Sequence, residues 1–343
     1  MKIVLAGSGA DPGGSGTIER DLLAWDRITA RYDTEKLKPQ HLNGMDCLLF
    51  VRSPYPRDYN LVHEAKARGL LVAMIPDATY LPKMTAAGWI AQVDLMYATS
   101  KWAAKHLRQV GKQFTTAGVP CAWTENIQHG YWGVDLQKAE FEERAVCRRL
   151  LLLNGTTGLA YRTGSYELAM ALADLAERPV SVVTRPGFRP HKQPAGVELI
   201  EAEISNLRDL YREGDVLLAL SKYTGFGLSV LEAQACGLPV VANDTGPYPE
   251  LGPVRKLRTS ESFMVLMGQK IETAAVDTKH LASTIKDLIG KNIQKGSQIA
   301  RAYAQKHHDL RHALETLWNT LETAVNHRGE TTSKAADDRQ EAA

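Results

Sequence analysis

Residues Asp215 to Glu250 read DVLLALSKYTGFGLSVLEAQACGLPVVANDTGPYPE. The apolar run from Asp215 to Leu220 predicts a strand buried on both faces, the pattern of a parallel sheet. Lys222-Tyr223-Thr224-Gly225-Phe226-Gly227 predicts a loop, and a helix is predicted over Leu228–Cys236. Gly237 then stops the helix, and Leu238–Ala242 predicts the next buried strand at once. A strand, glycine loop, helix and strand in that order make an α/β unit.

Such a loop carries chemistry. Backbone N–H groups at a helix start have no partner within the helix, and the helix dipole makes that point electropositive. It suits a diphosphate. Gly225 and Gly227 lack a Cβ and let a ligand approach the backbone. Glu232 lies one turn into the helix, within the angular range of the core stripe Leu228, Leu231 and Ala235. A carboxylate there accepts hydrogen bonds, and beside a bound nucleotide its partners are ribose hydroxyls. The plainer alternative is that the glycines serve turns and Glu232 is a solvated helix carboxylate.

The same alternation extends outward. Ile3–Ala6, Cys47–Val51, Leu70–Ile75 and Leu95–Ala98 are apolar runs, and helical patterns cover about Thr17–Ile28, Leu61–Arg68 and Lys101–Val110. The charged stretch near 136–147 resets the periodicity, and Arg149–Leu153 opens a second series. It continues through helix Ser165–Leu175, strands Val180–Val183 and Val197–Ile200, and helix Asn206–Arg212. Two Rossmann-like domains are expected, at 1–147 and 148–308. Leu310, Leu314, Leu317 and Leu321 make one stripe of a C-terminal helix over 309–327. Residues 328–343 hold no large apolar side chain and are expected to be a disordered tail.

Composition narrows the class. The 343 residues carry 41 Lys+Arg against 39 Asp+Glu, a net charge of +2, which excludes a strongly basic nucleic-acid coat. The four cysteines, Cys47, Cys121, Cys147 and Cys236, show no metal spacing and read as buried, reduced thiols. No run approaches the ~18 apolar residues of a membrane span, and the first apolar run is too short for a signal peptide. A soluble, cytoplasmic protein without an integral membrane span is expected. No DxD triplet and no metal-ligand cluster occurs, so no metal and no cofactor is expected.

Ser221, Gly225-Phe226-Gly227-Leu228, Leu231-Glu232-Ala233, Cys236-Gly237-Leu238-Pro239-Val240-Val241, Gly246 and Glu250, in that order, resemble the donor-site signature of family 4 glycosyltransferases. Those are retaining enzymes of the GT-B fold. Weaker likeness extends to Met1–Ala6 with Gly13-Gly14, to Asp94–Ala104, and to Asn126–Gly130 with Val134-Asp135. The resemblance implies an α/β GT-B architecture, with two Rossmann-like domains facing a central cleft and C-terminal helices packing back. It implies transfer of a sugar from a UDP- or GDP-sugar to an acceptor hydroxyl, with retention and without a metal. Donor contacts are carried onto Ser221, Thr224, Gly225, Phe226, Gly227, Leu228, Ser229 and Glu232, and onto Gly14, Ser15, Thr156 and Arg162.

There are departures. The family usually has two glutamates separated by seven residues. Glu232 matches the ribose ligand, but Thr224 stands at the donor-sugar position. The family's Arg near the start of the second domain has no counterpart in Asn154–Gly164, and Arg162 lies within one residue of its Lys. Arg162 is then either a phosphate clamp or a solvated loop arginine.

Asp77 follows Leu70–Ile75 and is expected at a strand's carboxyl end, where it either handles an acceptor hydroxyl or caps its loop. Asp58 and His129 are further acceptor-side candidates. A glycan or lipid-linked saccharide is the family's commonest acceptor. A modified base in DNA is the alternative, although residues 1–140 hold 16 Lys/Arg against 14 Asp/Glu and show no basic excess. Two other readings are a nucleotide-binding protein of this fold without catalysis and a nucleotide-sugar epimerase.

Overall fold

The computed structural model describes residues 1–7, 14–51, 59–80, 88–153, 164–173, 175, 180–184, 197–201, 207–266 and 269–341. They form two compact units. One is Met1–Tyr131 with Leu266–Gln269 and Ala313–Ala343; the other is Trp132–Val265 with Lys270–His312. The division thus falls at 131/132 and not near 147. The charged stretch is part of the second unit, where Arg144 is buried. Its backbone N–H donates to Ser297 Oγ at 3.0 Å, and its guanidinium donates to the Gly214 and Tyr211 carbonyls at 3.1 and 3.0 Å.

The first unit is built on strands β1 (Ile3–Gly7), β2 (Ile28–Asp33), β3 (Cys47–Val51), β4 (Leu71–Ile75), β5 (Leu95–Ala98) and β6 (Ile127–His129). They pair in parallel in the order β2-β1-β3-β4-β5-β6. β1, β3, β4 and β5 are buried at every position, as their apolar runs require. β2 is an edge strand with mostly half-exposed residues and no apolar run, so the sequence pattern hides it. The preceding helix, Gly14–Leu23, ends five residues before the expected Ile28, which instead opens β2. Helices Tyr59–Ala67 and Lys101–Thr116 complete the unit's main crossovers, and Ser100 Oγ caps the latter by accepting the Ala103 N–H at 3.0 Å. Trp123 is fully buried and donates its indole N–H to the Ile90 carbonyl at 2.7 Å.

The C-terminal helix, Leu310–Glu341, returns to this first unit. Leu314, Leu317 and Leu321 are buried, as the stripe predicts. Trp318 meets Trp25 edge-on with ring centroids 5.8 Å apart, and Arg27 pairs with Glu315 at 3.0 Å. The helix runs on to Glu341, across the stretch where composition predicts a disordered tail. Extending an existing helix costs far less than nucleating one. Asp94, at the start of β5, pairs with Lys66 and with Arg328 of this helix.

The second unit holds β7 (Arg149–Leu152), β8 (Val180–Thr184), β9 (Val197–Glu201), β10 (Val216–Ala219), β11 (Val240–Ala242) and β12 (Val254–Lys256). All pair in parallel, in the order β12-β11-β10-β7-β8-β9. Counted from β7 this is 6-5-4-1-2-3, the order of dinucleotide-binding Rossmann sheets. Helices Ser165–Ala173, Leu207–Arg212, Leu228–Ala235, Thr278–Leu288 and Gln294–His307 accompany it. Leu150, Leu152, Leu168, Leu172, Val216, Leu218 and Ile285 share its core. β13 (Thr259–Leu266) and β14 (Gln269–Val276) pair as a separate two-stranded sheet. The sequence reading misses them, although Phe263–Met267 is an apolar run, preceded by the exposed polar residues Ser260–Ser262.

All four cysteines are free and buried. Burial pushes the Cys121 and Cys236 thiols up to about 11 and Cys147 to about 12. Among the described residues no helix is long and apolar enough to cross a membrane.

Candidate functional site

In an open parallel sheet, ligands bind beyond the carboxyl ends of the strands where the strand order reverses. In the second unit that point lies between β7 and β10, paired Val216 to Leu150 and Leu218 to Leu152. The loop after β10 is the stretch from Leu220 to Gly227.

Its backbone is held from several sides. Asn243, just past β11, donates from Nδ2 to the Leu220 and Ser221 carbonyls at 2.7 and 3.1 Å. The Ala274 N–H, from β14, donates to the Lys222 carbonyl at 3.0 Å. Gly164, at φ +78°, lies against Leu220 so closely that a Cβ would come within 2.5 Å of the Leu220 Cβ. The start of helix Ser165–Ala173 is thereby pressed onto the end of β10. Neither Asn243 nor Lys222 is given a role by the sequence reading, because neither is among the residues that carry the resemblance.

Helix Leu228–Ala235 starts as expected after the glycine loop. Gly227 is its N-cap at φ +70° and offers no side chain of its own to cap the helix. A Cβ on Gly227 would meet Leu251 Cδ1 at 2.4 Å, so both dihedral and space demand glycine. Gly225, Phe226 and Leu228 are buried, and Ser221, Thr224 and Ser229 are half-buried. Gly246, at φ +56°, packs on the backbone of Thr224, with its Cβ position 3.1 Å from the Thr224 carbonyl oxygen.

Glu232 is half-buried, one turn beyond Ser229 on the same helix. The Tyr211 hydroxyl donates to its Oε2 at 2.7 Å. Tyr211 is fully buried, and its own carbonyl is gripped by Arg144. A chain of contacts, Arg144 to Tyr211 to Glu232, fixes the carboxylate beside the glycine loop. Glu232 thus has a buried partner on one side and is part exposed on the other.

On the other side of the same rim, Lys222 Nζ pairs with Glu167 Oε1 at 2.7 Å. Glu167 belongs to the first turn of helix Ser165–Ala173. Thr156 and Arg162 lie outside the described residues, as does Asp58.

In the first unit the order reverses between β1 and β3. Gly14 opens the helix after β1, and Ser15 shares its first turn. Gly7 ends β1 under the Glu19 carboxylate, which takes the Arg31 guanidinium at 2.7 and 3.0 Å. Asp77 lies two residues past β4, where the sequence places it. Its Oδ1 accepts the Thr79 N–H at 3.0 Å and the Thr79 hydroxyl at 2.6 Å, a loop-capping arrangement. His129 ends β6 and is exposed. Among the described residues no group of three or more His, Cys, Asp or Glu side chains is placed to hold a metal.

Residues 180–289 match the family model described as glycosyl transferases group 1. A lipopolysaccharide core biosynthesis mannosyltransferase from Rhizobium meliloti is 47% identical over 53 residues, 16% of this chain and 15% of that protein. A D-inositol 3-phosphate glycosyltransferase from Rhodococcus erythropolis is 31% identical over 126 residues, 36% of this chain and 23% of that protein. The match thus spans a quarter or less of the length of these curated relatives. Among solved structures, Anabaena Alr3699/HepE in complex with UDP superposes with a TM-score of 0.67 at 16% identity, over 94% of this chain and 100% of that one. A glycosyltransferase from Rickettsia africae gives 0.62 at 13% identity, over 94% and 98%. With its two parallel six-stranded sheets the chain has the GT-B fold, and its residues 180–289 match the glycosyl transferases group 1 model.

Proposed function

We propose that the protein is a glycosyltransferase that moves a sugar from a nucleoside diphosphate sugar to an acceptor hydroxyl. The observation that carries this reading is the rim of the second sheet. A helix start with glycine, Gly227, as its N-cap stands beside a carboxylate, Glu232, that Tyr211 holds in place. The first feature suits the diphosphate and the second the ribose hydroxyls. The described part of the family match includes both.

UDP is the favoured nucleotide, because the superposing HepE structures hold UDP or UDP-glucose. Helix amides and cationic side chains would neutralise the charge left on the departing diphosphate, so the reaction needs no metal. Retention of configuration follows from the resemblance to family 4. The resemblance to family 4 assigns donor contacts to Ser221, Thr224, Gly225, Phe226, Leu228 and Ser229, and to Gly14, Ser15, Thr156 and Arg162. Asp77, Asp58 and His129 stand on the acceptor side. A saccharide is the favoured acceptor, since one relative is named for building lipopolysaccharide core.

Calorimetry with UDP tests the reading. Glu232→Ala should weaken binding by about 1.5–3 kcal/mol, the worth of charge-assisted hydrogen bonds to ribose; unchanged affinity removes the ribose assignment. Transfer from UDP-glucose to a lipooligosaccharide acceptor should survive EDTA, and its complete loss on chelation would reinstate a metal.

A further inference from the structure

We propose that Tyr211 positions Glu232 for the ribose of the donor nucleotide and so sets a preference for a ribonucleotide over a 2′-deoxyribonucleotide. The inference rests on the nucleotide-sugar reading above, and adds to it a residue outside the sequence motif and a selectivity. Tyr211 lies in helix Leu207–Arg212 and is fully buried. Its hydroxyl reaches helix Leu228–Ala235 at two points one turn apart, Glu232 Oε2 at 2.7 Å and the Ser229 carbonyl at 3.3 Å. A phenol has a single proton to donate. The shorter, charge-assisted contact takes it, so the hydrogen bond runs to the carboxylate.

The tyrosine is itself anchored. The buried Arg144 guanidinium grips the Tyr211 and Gly214 carbonyls at 3.0 and 3.1 Å, and the Arg144 backbone N–H is tied to Ser297 Oγ at 3.0 Å. The hydroxyl therefore projects from a fixed main chain. A glutamate on a helix has several side-chain torsions, and freezing them is part of what ligand binding costs. Here a buried donor holds the carboxylate before any ligand arrives. The tyrosine proton fills one of about four lone-pair sites on a carboxylate, which leaves acceptors for both vicinal hydroxyls of a ribose. A site made to accept from both rejects an analogue that lacks one, most sharply where the acceptor cannot turn aside. Tyr211 acts through Glu232; it sets where the carboxylate sits.

The test is calorimetric titration of the full chain with UDP and with 2′-deoxy-UDP, which lacks only the 2′-hydroxyl. The wild type should prefer UDP by about tenfold or more, the worth of one charge-assisted hydrogen bond. Tyr211→Phe keeps the buried ring and removes only the oxygen. It should weaken UDP by roughly three- to tenfold and 2′-deoxy-UDP by less than about twofold, so that the preference shrinks. Tyr211→Met, a second apolar replacement, should shrink it likewise. Glu232→Ala should abolish the preference, and adding Tyr211→Phe to it should leave both affinities within about twofold, because the tyrosine works through the glutamate. Circular dichroism checks that each variant is folded. An undiminished preference in a folded Tyr211 variant overturns the proposal. So does an equal loss for the two nucleotides, the mark of a merely structural tyrosine. A preference lost in Glu232→Ala but kept in Tyr211→Phe sinks this assignment alone. A wild type that does not prefer UDP over 2′-deoxy-UDP sinks the ribose role of Glu232 with it, and a wild type that binds neither UDP nor GDP sinks the nucleotide-sugar reading. If the chain takes GDP in place of UDP, GDP and 2′-deoxy-GDP serve as the pair.

Discussion

The two sheets are both parallel and six-stranded, yet they use their carboxyl rims differently. In the first, the described polar groups at the rim are engaged in local structure. Asp77 caps its own loop through Thr79, and Ser100 caps helix Lys101–Thr116. In the second, polar side chains on several elements converge on one loop. Asn243 holds its carbonyls, Glu167 holds Lys222, and Tyr211 holds Glu232. The loop and helix caps of the first rim can be read residue by residue, whereas the loop of the second is held by partners from distant parts of the chain.

The contrast predicts that core damage to the first unit leaves nucleotide binding in the second. Trp123→Ala removes a fully buried indole and its hydrogen bond, and should cost the first unit about 3–5 kcal/mol. Urea titration should show an early transition for that unit while UDP affinity, measured before it, stays at the wild-type value. Loss of both together would mean that the units do not fold separately.

The second unit should carry its own acid sensitivity. Burial pushes the His308 imidazole down from 6.5 to about 4, against a smaller opposing effect of the Leu251 backbone. Between those values the unfolded chain binds a proton that the folded chain refuses. Stability is complete above about pH 6.5 and falls as the pH drops toward 4, by up to about 3 kcal/mol from this one group. Urea midpoints at pH 7 and pH 4.5 measure the loss. His308→Leu should shrink it, and an unchanged pH dependence in that variant would remove His308 as its source.

A smaller effect separates glycines that serve a site from those that serve a turn. Gly227→Ala meets both a left-handed backbone and Leu251, and should cost about 2–3 kcal/mol and impair UDP binding. Gly69→Ala has a similar φ of +77° but nothing within 4 Å, and should cost about 1 kcal/mol with binding intact. Equal losses at the two positions would show that the space around Gly227 does not matter.

What the sequence conveyed follows from the same physics. β1, β3, β4 and β10 are uniformly buried, and an apolar run is a direct imprint of that burial. β2 leaves no such imprint, because an edge strand faces water on much of its surface. The helix start at Leu228 and the carboxylate of Glu232 were legible because loop, helix and strand are contiguous there. Tyr211, Asn243, Glu167 and Arg144 were not, since their roles depend on contacts across 21 to 67 positions of chain and across the Glu167–Lys222 pair. The charged stretch near 140 read as a domain boundary for the same reason: a buried arginine bonded to remote carbonyls carries no local signature.

The return of the C-terminal helix has a consequence for biosynthesis. Ala313 onward belongs with Met1–Tyr131, where Trp318 and Glu315 find Trp25 and Arg27. A ribosome therefore releases every strand of the first sheet long before the helix that seals it, and finishes the second unit in between. The part begun earliest is the part closed last, so a nascent chain arrested after His312 would hold a finished middle and an open beginning.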